Sequence, residues 1–181
     1  KGVTERLSNR RYVDLDEPDK LAFNDSIIHA TIVHQDEPDD GNSSIYSIFE
    51  RLNTGGTLLT AQEIRTCIYH GSFVGFLNEL NQNLAWRKVY GAKSKRMKDQ
   101  ELILRFLAMQ FSLDEYKKPL KGFLNVFIER YRNITGELKS SFEAAFVRPI
   151  QFISENLERK AFRQGSQINA AIFDSVMLGV A

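Results

Sequence analysis

Apolar residues recur three and four positions apart along most of this chain, and that spacing predicts a mainly α-helical protein. Ile45, Ile48, Phe49 and Leu52 form a first stripe. Phe73, Phe76, Leu77, Leu80 and Leu84 form a second, with Ser72 placed to cap it. Leu120, Phe123, Leu124, Phe127, Ile128 and Tyr131 follow Pro119, and Phe142, Phe146, Ile150, Ile153 and Leu157 make a longer stripe. Pro149 inside that stripe is expected to kink the helix or split it. Ile168, Ile172, Phe173 and Val176 mark a last helix. Residues 102–111 are apolar nearly all round, which predicts a helix at the centre of the bundle, and residues 86–90 read as a short connector. The thirteen phenylalanines on these stripes read as core.

Local signals set the boundaries. The first stripe stops at residues 53–56, where Gly55 or Gly56 can adopt the left-handed conformation that closes a helix, with Leu58 or Leu59 folding back. Thr60 followed by Glu63 is a capping box that opens the next helix. Nearer the start, residues 1–11 are basic and polar and read as a frayed end. Asp16 and Pro18 start a short helix running to Phe23. Residues 27–34, rich in β-branched side chains, are the one expected strand, which needs partners to be stable and would join a sheet supplied by an upstream segment. Asp36, Glu37, Asp39 and Asp40 around Pro38 lack calcium-loop spacing and read as a solvated turn. The expected fold is therefore a helical bundle with one short strand near its start. Residues 1–44 would end an α/β portion and residues 45–181 form the bundle, all in one compact domain.

With 181 residues, 43% of them hydrophobic, the chain can bury one proper core. Lysine and arginine number 24 against 23 acids, so any basic function must be local. The single cysteine, Cys67, excludes an internal disulfide or a cysteine metal cluster. No run reaches the ~20 apolar residues of a membrane helix and no signal pattern is visible, so no membrane association and a cytoplasmic location are expected. Standard catalytic patterns are missing: G-G-T-L-L-T lacks the lysine of a phosphate-binding loop, and there is no Gly-x-Ser-x-Gly elbow. Cys67 and His70, three apart on one helix, read as an accidental pair. Neither a catalytic residue nor a metal ligand is expected.

The segment F-E-R-L-N-T-G-G followed by L-T-A-Q-E-I-R resembles the Phe-x-x-x-Asn motif region in the amino-terminal domain of GmrSD-type modification-dependent restriction endonucleases, with Phe49 and Asn53 in the motif positions. Residues 15–18 and 27–33 resemble the helix and strand before that motif, and E-L-I-L-R-F-L-A at residues 101–108 resembles a later helix. A-F-R at 161–163 and N-A-A-I-F-D at 169–174 are weaker echoes in the same order. The family carries an upstream Asp-Gly-Gln-Gln-Arg motif on a fold like ParB and sulfiredoxin, associated with nucleotide binding and hydrolysis, and a downstream histidine-containing nuclease. Neither occurs here: His29, His34 and His70 fall in no nuclease pattern. The sequence starts at Lys1 and ends in an apolar run, so the expectation is a middle piece of a longer protein, inactive alone.

The resemblance implies a prokaryotic anti-phage enzyme that binds and hydrolyses a nucleoside triphosphate and regulates cleavage of modified DNA. The intact enzyme would use the nucleotide and a divalent metal, and this piece alone neither. Phe49, Asn53, Gly55 and Gly56 are the nucleotide-binding candidates: an asparagine beside two glycines can meet a phosphate, ribose or base edge with donor and acceptor. Arg51 and Arg65 flank the corner and read as solvated. Arg87, Lys88, Lys93, Lys95, Arg96 and Lys98, interleaved with Trp86 and Tyr90, are the DNA-binding candidates. Arg105, on the apolar helix, needs a carboxylate, and Glu63 or Glu101 is the expected partner. Expected partners are DNA and the protein's own upstream and downstream domains, with a homodimer possible through an exposed edge at residues 27–33. The alternative is a non-catalytic helical module that binds DNA or a protein.

Overall fold

The structure, a computed structural model, describes residues 5–27, 30, 44–52 and 58–181. The chain divides into two compact units, Lys1–His34 and Gln35–Ala181. In the first, single turns of 3-10 helix at Glu5–Leu7 and Tyr12–Asp14 precede helix α1, Glu17–Asn24. The Asp16 carboxylate accepts from the Asp19 amide at 3.0 Å, and Pro18 sits in the first turn, where its missing N–H costs nothing. Arg6 grips Asp19 through both guanidinium nitrogens at 2.6 Å, and the Tyr12 ring lies 5.5 Å from that of Phe23.

The second unit is helical: α2 Ser44–Leu52, α3 Ala61–Ile68, α4 Ser72–Leu80, α5 Leu84–Tyr90, α6 Lys98–Ser112, α7 Leu120–Arg130, α8 Gly136–Asn156 and α9 Ala170–Val180. Helix α6 is the axle, packed against α3, α4, α7, α8 and α9. Its Leu102, Ile103, Leu104, Phe106, Leu107 and Ala108 are all buried, as an apolar circumference requires. Phe73, Phe127 and Phe142 meet one another at the α4, α7 and α8 junction, and Trp86 sits between Phe146 and Phe173.

Several local expectations change. Ser72 does not cap α4: its hydroxyl donates to the Ile134 carbonyl at 2.8 Å, and Gly71 occupies the cap position. The stretch read as a connector is helix α5, capped by the Asn83 side chain on the Trp86 amide at 3.1 Å. Leu84, at the start of α5, and Leu157, just past the end of α8, are both turned out to solvent. Pro149 does not divide α8; burial of Phe146, Ile150 and Ile153 on either side outweighs one missing hydrogen bond. Phe23, Phe49 and Phe152 are exposed and leave the core to the other phenylalanines.

The expected strand at residues 27–34 lies outside the described residues except for Ile27 and Ala30, neither of which is in a strand. The strands described are at the other end of the chain: β1 Arg163–Gln164 and β2 Gln167–Ile168, antiparallel, with Arg163 opposite Ile168. Gly165, at φ +69°, makes the two-residue turn that an L side chain would strain. Ile168 thus belongs to the hairpin, and α9 begins after the Asn169 cap. The acidic residues Asp36, Glu37, Asp39 and Asp40 also lie outside the described residues.

Candidate functional site

The face of α2 that turns inward is set by Tyr46, 2% exposed, whose ring carries the Lys121 ammonium 5.2 Å from its centre. Lys121 also pairs with Glu50 at 2.9 Å, which ties α2 to α7. Phe49 and Leu52, on the following turns of the same helix, are nonetheless 40% and 55% exposed. Half of the first stripe is therefore displayed. Residues 53–57, with Asn53, Gly55 and Gly56, lie outside the described residues.

Beyond them the capping box forms: the Glu63 amide donates to Thr60 Oγ1 at 3.3 Å, and the Thr60 amide donates to Glu63 Oε2 at 2.6 Å. Arg96 completes the knot. Its Nε donates to Glu63 Oε1 at 3.0 Å, its Nη2 to Glu63 Oε2 at 2.9 Å and also to the Leu58 carbonyl, while Thr60 Oγ1 donates to the Arg96 carbonyl at 3.2 Å. Hydrogen bonds from Arg96, then from the Thr60 amide, hold the Glu63 carboxyl below the usual carboxylate range. Arg96 is thus a staple between the start of α3 and the loop before α6.

Two other arginines depart from expectation. Arg65, read as solvated, is 1% exposed: its Nε donates to Asn125 Oδ1 at 2.8 Å and its Nη1 to Gln62 Oε1 at 3.3 Å and Glu101 Oε2 at 3.4 Å. Burial pushes its pKa down and the Glu101 charge opposes that. Arg105 pairs with neither Glu63 nor Glu101. Its partner is Asp174 on α9, with Nε to Oδ1 at 3.2 Å and a second bond from Nη2 to Oδ2. Glu63 is committed to Arg96 and Glu101 faces Arg65, so Arg105, one turn along α6, faces the helix that packs there.

The basic stretch divides into two groups. Arg87 is structural: it bonds Asp99, 1% exposed, at 3.0 Å and Asn81 at 2.8 Å, and its guanidinium lies over the Trp86 and Tyr90 rings. Lys88 reaches the Ser154 carbonyl at 3.0 Å. Lys93, Lys95 and Lys98 are exposed, and among the described residues none of them forms an ion pair. Arg51 is also exposed at the end of α2, and Cys67 and His70 are both exposed at the end of α3.

A cleft of about 630 Å³ opens beside this stretch, with Arg96, Lys98, Arg105 and Arg163 on its walls. Arg163 is a residue the stripes did not single out. It becomes visible only once the Gly165 turn is recognised as a hairpin that folds against α5, where Arg163 Nη2 donates to the Tyr90 carbonyl at 2.8 Å. A second cleft, about 670 Å³, lies between α7 and the loop before it and includes Lys117, Glu115 and Phe123.

Among the described residues no group of three histidine, cysteine or acidic side chains is placed to hold a metal ion, and no helix is long and apolar enough to cross a membrane. No protein-family model matches the chain, and no curated protein or solved structure is significantly similar to it.

Proposed function

We propose that this chain is the helical part of a GmrSD-like amino-terminal domain, working within a prokaryotic enzyme that couples nucleotide hydrolysis to cleavage of modified DNA. The Phe-x-x-x-Asn resemblance is the starting point, and one structural observation carries it further. Phe49, the motif aromatic, stands 40% exposed one turn before Leu52 on a helix held in place by buried Tyr46 and by the Glu50 pair with Lys121. A buried core would claim such a phenylalanine, whereas a presented motif leaves it available to another part of the protein or to a ligand. The next helix is pinned by the Thr60, Glu63 and Arg96 knot, so Asn53 lies in sequence between two anchored helices. On this reading Asn53 addresses the nucleotide, Lys93, Lys95 and Lys98 contact DNA phosphates, and the protein resides in the cytoplasm.

The deciding experiment is nucleotide hydrolysis and cleavage of modified DNA by the product of the complete reading frame, compared with its Asn53→Ala variant. Loss of hydrolysis with retained thermal stability supports the reading. Hydrolysis at the parental rate would remove Asn53 from the site, and absence of any nucleotide dependence in the parent would leave a helical binding module as the better description.

A further inference from the structure

The cleft between the start of α6, the β hairpin and the start of α9 joins two cations of the basic stretch, Arg96 and Lys98, to two from elsewhere in the chain, Arg105 and Arg163. Arg96, Lys98, Arg105 and Arg163 line it, with Glu101 as the one acid among its lining residues. Arg96 and Arg105 are each matched by a carboxylate, Glu63 and Asp174, and Glu101 faces the buried Arg65. Lys98 and Arg163 have no acidic partner among the described residues. The Arg163 guanidinium is held in place by two neutral carbonyls, those of Tyr90 and Ser166, which fix its direction, leave its charge uncompensated and leave N–H donors to spare. Thr60 and Ala61 at the start of α3, Lys98 at the start of α6 and Ala170 at the start of α9 all border the same space. The starts of α3 and α9 are already closed by the box of Thr60 and Glu63 and by the Asn169 cap, so the side chains supply the cleft's charge.

We propose that this cleft is a binding site for a phosphate group, with Lys98 and Arg163 engaging its oxygens and Leu102 and Ile168 supplying an apolar wall for whatever the phosphate is attached to. The volume is within the range of small-ligand sites. The N–H donors that Arg163 has to spare suit an oxyanion, and Lys98, exposed at the rim, supplies a point charge that can follow the ligand in. A phosphodiester of a nucleic acid and a free nucleotide share this chemistry. The inference rests on the cleft itself; it shares Lys98 with the DNA-contact reading given above and adds Arg163, which that reading does not use.

The test uses the whole chain, with inorganic pyrophosphate followed by calorimetry and a fluorescent 12-base-pair duplex followed by anisotropy. Lys98→Glu and Arg163→Gln are compared with Lys117→Glu, which alters a lysine in the other cleft. Loss of one charged hydrogen bond should weaken pyrophosphate binding about tenfold or more in the first two variants and leave the third near the parent. If the duplex weakens in parallel, the occupant is a nucleic-acid backbone. If pyrophosphate weakens and the duplex does not, it is a free nucleotide. Equal pyrophosphate affinity in the parent, Lys98→Glu and Lys117→Glu overturns the proposal, as does no binding by the parent at millimolar pyrophosphate. Arg163 also fastens the hairpin, so if Arg163→Gln loses the fold, the exposed Lys98 decides.

Discussion

Arg105 on α6 and Asp174 on α9, 69 residues apart in the chain, form a two-point ion pair at the edge of the core. Their side chains are 17% and 12% exposed, so the pair lies between the surface and buried extremes. Arg105→Ala should destabilise the protein by about 2 kcal/mol, because Asp174 is left charged and largely desolvated. Urea unfolding followed through Trp86, the single tryptophan and fully buried, measures this. An unchanged midpoint would show that water replaces the guanidinium at no cost.

Arg65 is the more severe case. Arg65→Ala leaves Asn125, Gln62 and Glu101 without their shared donor and opens a void between α3, α6 and α7, so a loss of about 3 kcal/mol or more is expected. The same unfolding assay should show it, and a fall smaller than that of Arg105→Ala would contradict the burial argument.

Glu63 predicts an acid-sensitive step. Its carboxyl titrates lower when folded than the ordinary value of about 4.3, so the unfolded chain binds the proton more readily. The stabilisation is fully present above that ordinary value and is lost as pH falls through the lower folded value. Glu63→Gln should be less stable than the parent at pH 7, with the gap narrowing towards pH 3. A gap independent of pH would show that the carboxylate charge is irrelevant to the knot.

Gly71 is required for close approach. A Cβ there would overlap the Arg132 carbonyl oxygen and come within 2.9 Å of the Arg132 Cγ, while the Phe73 amide donates to that same carbonyl at 3.1 Å. Gly71→Ala should lower the melting temperature by several degrees, on the order of 1 to 2 kcal/mol, because backbone must move. Gly75→Ala, where nothing lies near the added carbon, serves as the control and should be neutral or slightly stabilising.

For the exposed lysines, replacing Lys93 and Lys95 together by alanine should weaken duplex binding and reduce the salt slope by about 0.9 for each DNA phosphate that is no longer neutralised. Arg96→Ala should instead lower stability, since its donors serve Glu63 and Leu58. An unaltered salt slope in the lysine variant would rule this loop out as a DNA-binding element.

The sequence by itself determined most of the helices, α5 excepted, because a 3.6-residue period of apolar side chains depends only on local geometry. It located α6 at the centre from its apolar circumference, the Thr60 and Glu63 box from a four-residue pattern, and the Asp16 cap from another. Tertiary structure alone decided which arginine meets which acid. Packing supplied Asp174 for Arg105 in place of Glu63 or Glu101, which the sequence suggested, through the helices α6 touches and the carboxylates already taken. It also decided that Arg65 is buried while Phe49 is displayed, reversing what polarity alone suggests, because burial depends on the neighbours that packing brings from distant parts of the chain. The basic cleft is of the same kind: Lys98 and Arg163 are 65 positions apart in sequence and share a wall only because the hairpin folds back against the end of α5.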